Sequence, residues 1–520
     1  MFSSFRRRIP ANFYPLGYIN SSTSTESLQT FLSPDAVVQE EADSSHLLEG
    51  FAEADDRSLK EDLRKSDLRI ITHISLWLAI IYGLQIALRA VEIWGLAFLD
   101  GKELAAASAA SVYMMITGLA LGWGLSSFLD STAPQAFAWS NPRELNTILQ
   151  RTAVITIGFS IFPISFLWLR AESLLEKFGQ EQRIARLAQL YIYFAWPGLL
   201  PSLLYVCVRK YMQVNGMIRE IAFIVASSIP LSLLVNFVFV RLFRLHIIGS
   251  ALSNSLINWY LLLLSIYITK RNAGKAQEFS LVWSANWKEK LNIRSTWNLL
   301  KLGLPGMVGT IADFPLEILT FFTGIFGKNA VAAQLISMAV VSFCMIIPSS
   351  LAIASTLLIS GHLGLQSPIR ARKIARLSLA LSLLYASLSA LAIAFWGFVV
   401  RTYGTKNNLY LILGEVTPPV ALTQFFWSLS VVWSGILYGC GKQLSVAVIR
   451  ILCHCVIGVF LGLLLAFELN WNLVGLPGIW TGVALGIGAS GCLLLVRILF
   501  LDWTKEAASI QKRIKDLMKN

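Results

Sequence analysis

About twelve apolar stretches, each close to the roughly 20 residues that a helix needs to cross a bilayer, follow one another through this chain. In the first half they lie near Ile71–Phe98, Leu104–Leu129, Thr152–Leu169, Leu187–Val208, Ile221–Leu242 and Ile247–Thr269. After a polar gap they resume near Trp297–Phe326, Ala330–Ser360, Leu377–Val400, Leu409–Tyr438, Leu444–Phe467 and Leu473–Leu499. Backbone polar groups in hydrocarbon must be satisfied within their own segment, so windows of this length fold as helices. The expected fold is an all-α membrane protein with twelve transmembrane helices. Composition agrees, because only 14% of the residues are charged and the mean hydropathy is +0.63, values that a soluble domain does not reach.

Positive charge is unevenly shared between the connections. One side carries Lys60, Arg64, Lys65 and Arg69, then Arg143, Arg209 with Lys210, the run from Lys270 to Arg294, Arg370 to Lys373, and the tail from Lys505 to Lys519. The other side has Arg170 to Arg186 and Arg241 with Arg244. Cytoplasmic loops retain the excess of Lys and Arg, which places both termini in the cytoplasm. The net charge of +13 is accounted for by this topology and by anionic lipid headgroups, so membrane lipids are the expected partners and no nucleic acid is required. The chain divides into a disordered cytoplasmic tail (1–70), a first set of six spans (71–270), a cytoplasmic loop (271–296), a second set (297–500) and a basic tail (501–520). Within the first tail, Asp43, Leu47 and Leu48 match an acidic dileucine sorting signal, which points to a vacuolar or endosomal membrane, with the plasma membrane as the alternative. The last segment has Ala507, Ile510, Ile514 and Leu517 on one helical stripe, suited either to the inner leaflet or to the cytoplasmic loops.

Ionisable side chains inside spans are expensive and mark function. Asp313 and Glu317 are four apart in the seventh window, so both carboxyls share one helix face and are placed to exchange a proton or meet a cation. Arg89 and Glu92 are three apart in the first and are expected to pair, either as a structural clamp or in gating and ion coupling. Asp130 and Gln135 fall at the end of the second span, where capping or loop ordering is the plainer role. Gln334, Asn236 and Asn258 are suited to hydrogen bonds between helices. Trp427 belongs with aromatic residues that form cavity walls for a flat cation or anchor the bundle in lipid. The six cysteines lie in or beside spans and indicate no disulfide framework. Cys453, His454 and Cys455 are consecutive and point about 100° apart on a helix, so no metal site is expected. No P-loop, GxSxG elbow or HExxH is present, which leaves neither an enzyme nor a cofactor in prospect.

The halves repeat one another. Val91, Glu92, Ile93, then Gly101 and Lys102, parallel Leu316, Glu317, Ile318, then Gly327 and Lys328. Duplication of this kind yields two pseudo-symmetric six-helix lobes around a central cavity. Leu129 to Phe137, Gln150 with Arg151, Trp196 to Leu199, Arg209 to Gln213, Leu304 to Met307, Glu317 to Leu319 and Gly435 to Gln443 resemble the motifs of the multidrug and toxic compound extrusion (MATE) family, of eukaryotic type. The resemblance implies a monomeric antiporter that exports organic cations or xenobiotics in exchange for H⁺ or Na⁺, with Glu317 as the coupling acid. Three positions depart from the family pattern. The seventh span reads Asp313, Phe314, Pro315, Leu316, Glu317, one residue shorter between the acids; the tenth carries Trp427 and Ser428 where relatives have an acid; and Tyr438 replaces an Arg. A lipid-linked sugar flippase of the same superfamily and a non-transporting membrane receptor are the alternatives.

Overall fold

A computed structural model describes residues 45–96, 100–138, 142–177, 180–272, 293–312, 319, 323–403, 408–467 and 475–519. Among them there is no β-strand. The chain forms two compact units, Met1–His73 and Ile74–Asn520. Asp313, Glu317 and Asp43 lie outside the described residues.

Among the described residues, eleven helices are long and apolar enough to cross a bilayer: α1 (Asp67–Leu96), α2 (Gly101–Ala138), α3 (Leu145–Leu169), α4 (Gln182–Val214), α5 (Ile218–Leu242), α6 (His246–Asn272), α8 (Asn329–Gly364), α9 (Pro368–Thr402), α10 (Asn408–Gly439), α11 (Gln443–Phe467) and α12 (Leu476–Leu499). Between α6 and α8 stands α7 (Ile293–Ile311), and an amphipathic helix, α13 (Trp503–Lys519), follows α12. These are the twelve membrane helices of a two-lobed bundle, α1–α6 and α7–α12. Each lobe has its own core. In the first, Trp168, Tyr191, Ile192 and Leu203 pack over the alanines of α2, whose small side chains admit them. In the second, Trp480, Ile479 and Val416 pack around Leu319.

The duplication is visible in local geometry. The α4–α5 turn closes with Met217 N–H donating to Met212 O (2.9 Å) around Gly216 at φ 73°, and the α10–α11 turn with Lys442 N–H donating to Leu437 O (3.0 Å) around Gly441 at φ 72°. Both are the left-handed cap that glycine accepts without a Cβ penalty. The α8–α9 turn makes the same bond, Ser367 N–H to His362 O at 2.9 Å, but its left-handed residue is Gln366 at φ 56°, a conformation that costs a residue with a side chain about 1–2 kcal/mol. The fifth helix of each lobe also contains a π-segment, Phe237–Leu242 in α5 and Ile451–Gly458 in α11.

One expectation changes here. The first helix extends back to Ser45, so the chain from Ser45 to residue 70 is helical rather than disordered, and Leu47 and Leu48 fall within that helix. The stretch Ser45–Arg69 contains no proline and a single glycine, Gly50, in a background of Leu, Ala, Glu and Lys, all strong helix formers.

Candidate functional site

The lobes meet through α2. From Ala120 onward this helix leans on α7 and, at its last turns, on α8. The approach is backbone to backbone: a side chain in place of Gly124 would collide with the main chain of Met307, and one in place of Gly306 with Ser127 and the carbonyl of Gly124. Gly303 is pressed in the same way against the carbonyl of Leu125. Lower down, Gln135 Nε2 donates to Gly439 O (3.4 Å), and Gln443 Nε2 donates to the Ser131 hydroxyl (2.8 Å). These contacts lie toward the end of the bundle that carries Arg209, Lys210, Lys442 and α13, hereafter the basic end. The other half of α2, Gly101 to Leu119, packs on α4 and α6 of its own lobe, and among the described residues it makes no substantial packing with the second lobe. Among the described residues the lobes are sealed at the basic end and part toward the other.

The first lobe presents a polar cluster beside this parting. Tyr191 of α4 stands beside Ser111 of α2 and Ser250 and Asn254 of α6, and within electrostatic range of Glu92. Asn236 of α5 presses on Gly95, one turn from Glu92, so that a Cβ there would meet its Oδ1 at 2.7 Å. The expected Arg89–Glu92 ion pair does not form. The Arg89 guanidinium instead lies over the Trp123 ring of α2, 6.0 Å from its centroid, while remaining within electrostatic range of the carboxylate. Arg89 is exposed and its long stem can leave the helix face, whereas Glu92 is half-buried toward α4.

Asp130 is not a helix cap. Its carboxylate receives Lys210 Nζ at 2.9 Å, and the same ammonium donates to Ser126 O at 2.9 Å, which ties α2 to α4 immediately beneath the interlobe seam. Gln135 joins the lobes, as described above. Gln334 accepts from Trp480 Nε1 (2.7 Å) and bonds between helices, but Asn236 and Asn258 do not. Their amides donate within their own helices, to Ser232 O (3.0 Å) and to Asn254 Oδ1 (2.9 Å). Trp427 is half-buried and packs on the second-lobe core.

The structure adds residues that the sequence argument passed over. In the π-segment of α11, His454 Nδ1 lies 3.1 Å from Ala312 O, which can only accept, so that nitrogen carries a proton. Nε2 then faces the Ser490 hydroxyl of α12 at 2.8 Å. The buried imidazole thereby ties Ala312, the last described residue of the 293–312 segment, to α11 and α12. Arg450, one turn before His454, is also buried. Two ionisable residues four apart in an apolar window were the available signal. Attention to the flanking cysteines concealed it. Among the described residues no cluster of His, Cys, Asp and Glu could hold a metal.

This arrangement has known relatives. The MatE family model matches residues 78–238 and 314–464, most of both lobes. The chain belongs to the MatE family. It is 28% identical to multidrug and toxin extrusion protein 1 of Homo sapiens over 414 residues, 79% of this chain and 70% of that protein. It is also 28% identical to Protein DETOXIFICATION 16 of Arabidopsis thaliana over 476 residues, 88% of this chain and 92% of that one. In fold, the MatE chain is similar to the crystal structure of the eukaryotic MATE transporter AtDTX14, with a TM-score of 0.76 at 18% identity, covering 87% of this chain and 99% of the other. The Vibrio cholerae MATE transporter VcmN, as its D35N mutant, gives 0.74 at 16% identity, covering 84% and 97%. The interlobe contacts at the basic end are thus those of a MatE chain.

Proposed function

We propose that this protein is a secondary antiporter that exports organic cations, xenobiotics or toxic metabolites in exchange for H⁺ or Na⁺, working by alternating access. The observation that carries this reading is the one-ended seal between the lobes, since a bundle closed at one end and parted at the other is one of the two states that rocking of repeats requires. In the orientation given by the Lys and Arg bias, the sealed end is cytoplasmic and the parting faces the exterior or the organelle lumen. The names of the human and plant relatives agree with extrusion as the direction of transport.

Coupling is assigned to the acids inside spans. Glu317, with Asp313 in the same segment, and Glu92 beside the first-lobe polar cluster are the groups whose neutralisation by H⁺, or occupation by Na⁺, competes with a cationic substrate. No cofactor takes part, and one chain suffices for the cycle.

Purified protein in proteoliposomes, under an imposed pH or Na⁺ gradient and with a small panel of organic cations, tests this directly. Gradient-driven accumulation is expected. Absence of movement under either gradient would favour the receptor reading, and movement of a lipid-linked sugar without an ion gradient would favour the flippase.

A further inference from the structure

The C-terminal helix α13 is anchored at points that all touch the interlobe seal. Trp503, Ala507 and Ile510 turn inward, Ile510 completely. Glu506 meets Lys442 Nζ at 2.7 Å, in the turn between α10 and α11. Gln366 Nε2 donates to Ala507 O at 3.0 Å from the α8–α9 turn, where Gln366 holds its left-handed conformation. Helix α13 packs on the basic ends of α8 and α9 in the second lobe and also on α2 in the first.

Both turns that α13 grips belong to the seal. Lys442 is followed by Gln443, the donor to Ser131, and lies three residues after Gly439, whose carbonyl accepts from Gln135. Gln366 lies two residues after Gly364, which fits against Gln135 and Ala138. To open the basic end, Gly439 and Gln443 must leave α2. The turn that bears them cannot withdraw freely while it is ion-paired to a helix that itself rests on α2.

We propose that α13 is a clasp on the basic-end seal, with Glu506 as its positioning residue, acting through Lys442 to hold the α10–α11 turn against α2. This goes beyond the antiport reading and does not depend on it, because the clasp sets how long the lobes stay closed at this end whatever solute they carry. A strained Gln366 supports a poised contact, since local backbone strain persists where the surroundings over-determine it.

The test is disulfide trapping between Ser131→Cys and Gln443→Cys in the full chain, with the native cysteines replaced by alanine, in detergent and in liposomes. The rate of cross-linking reports how often the seal is closed. Glu506→Lys and Lys442→Glu are each expected to slow it about threefold, the scale of one partly exposed ion pair. The double reversal restores the rate, and Ile510→Asp, which puts a charge into the buried seat of α13, slows it at least as much as either. Unchanged cross-linking in both Glu506→Lys and Ile510→Asp would overturn the clasp, as would a double reversal that fails to recover. Should a single reversal be lost to misfolding, judged by size exclusion, the double reversal and Ile510→Asp decide. None of these measurements requires transport, so their failure is separable from failure of the antiport reading.

Discussion

The two lobes share a plan and differ in what they bury. The first gathers hydroxyls and an amide, from Ser111, Ser250 and Asn254, around Tyr191, within electrostatic range of Glu92. The second places an imidazole and a guanidinium, His454 and Arg450, on its fifth helix, where the register set by Gly216 and Gly441 puts Ile229 and Val225 on α5. Turn geometry is retained, with Gly216 and Gly441 within a degree of one another in φ, while the charge inside the repeats has diverged. Duplication therefore preserved the elements that shape the backbone and left the buried chemistry free to specialise. Under the antiport proposed above, that asymmetry gives the ion and the substrate different lobes to bind.

The largest expected effect decides which lobe couples. Glu317→Gln is expected to lower gradient-driven flux about 10²-fold, the usual order for loss of a proton-transferring group, and Glu92→Gln only about tenfold. Equal losses would make the lobes equivalent, and the reverse order would move coupling to the first lobe. Next in size is the seal: Gly124→Val drives a branched side chain into the backbone of Met307 and should cost about 1–3 kcal/mol of stability, read as a lower thermal midpoint together with slower flux. A flux unchanged by that variant would mean that the lobes do not close as described. Removing His454 with His454→Leu takes a buried donor from the Ala312 carbonyl and should destabilise by about 1–3 kcal/mol, more than Tyr191→Phe in the first lobe, which deletes a hydroxyl that its neighbours can replace. Thermal unfolding of the two variants compares the polar cores.

The smallest effect concerns α13. Asp502 accepts from the Thr504 hydroxyl (2.6 Å) and from the backbone N–H of Lys505 (3.2 Å), and these bonds, with the Lys505 ammonium, hold its carboxyl down to about 2. A depressed acid stabilises above its ordinary value of 3.8 and loses that contribution as pH falls through about 2. Fluorescence of Trp503 should report fraying of this helix below pH 4, and in Asp502→Asn it should show no acid transition.

Most of the architecture was legible because membrane insertion leaves a strong trace. Each span announces itself by length, and α4 and α6 end within a few residues of the hydropathy windows. Side-chain partnerships were less readable, since spacing along one helix does not reveal what a neighbouring helix offers. Arg89 and Glu92 have ideal spacing for a pair, yet the aromatic face of Trp123 on α2 takes the guanidinium. Asp130 looked like a cap until α4 brought Lys210 to it across 80 positions of sequence. His454 was hidden in the same way, because nothing in the sequence around it shows that Ala312 O and the Ser490 hydroxyl are brought to its two ring nitrogens.

The meeting of Gly124 and Gly306 with bare main chain has an electrical consequence. Peptide surfaces that fit without ionised groups exert a grip that neither acid nor salt alters, so this part of the seal holds equally well across the range of conditions in which carboxylates elsewhere titrate. Sensitivity to protons and salt at this end is thereby left to the ion pairs that flank the contact, Asp130 with Lys210 and Glu506 with Lys442.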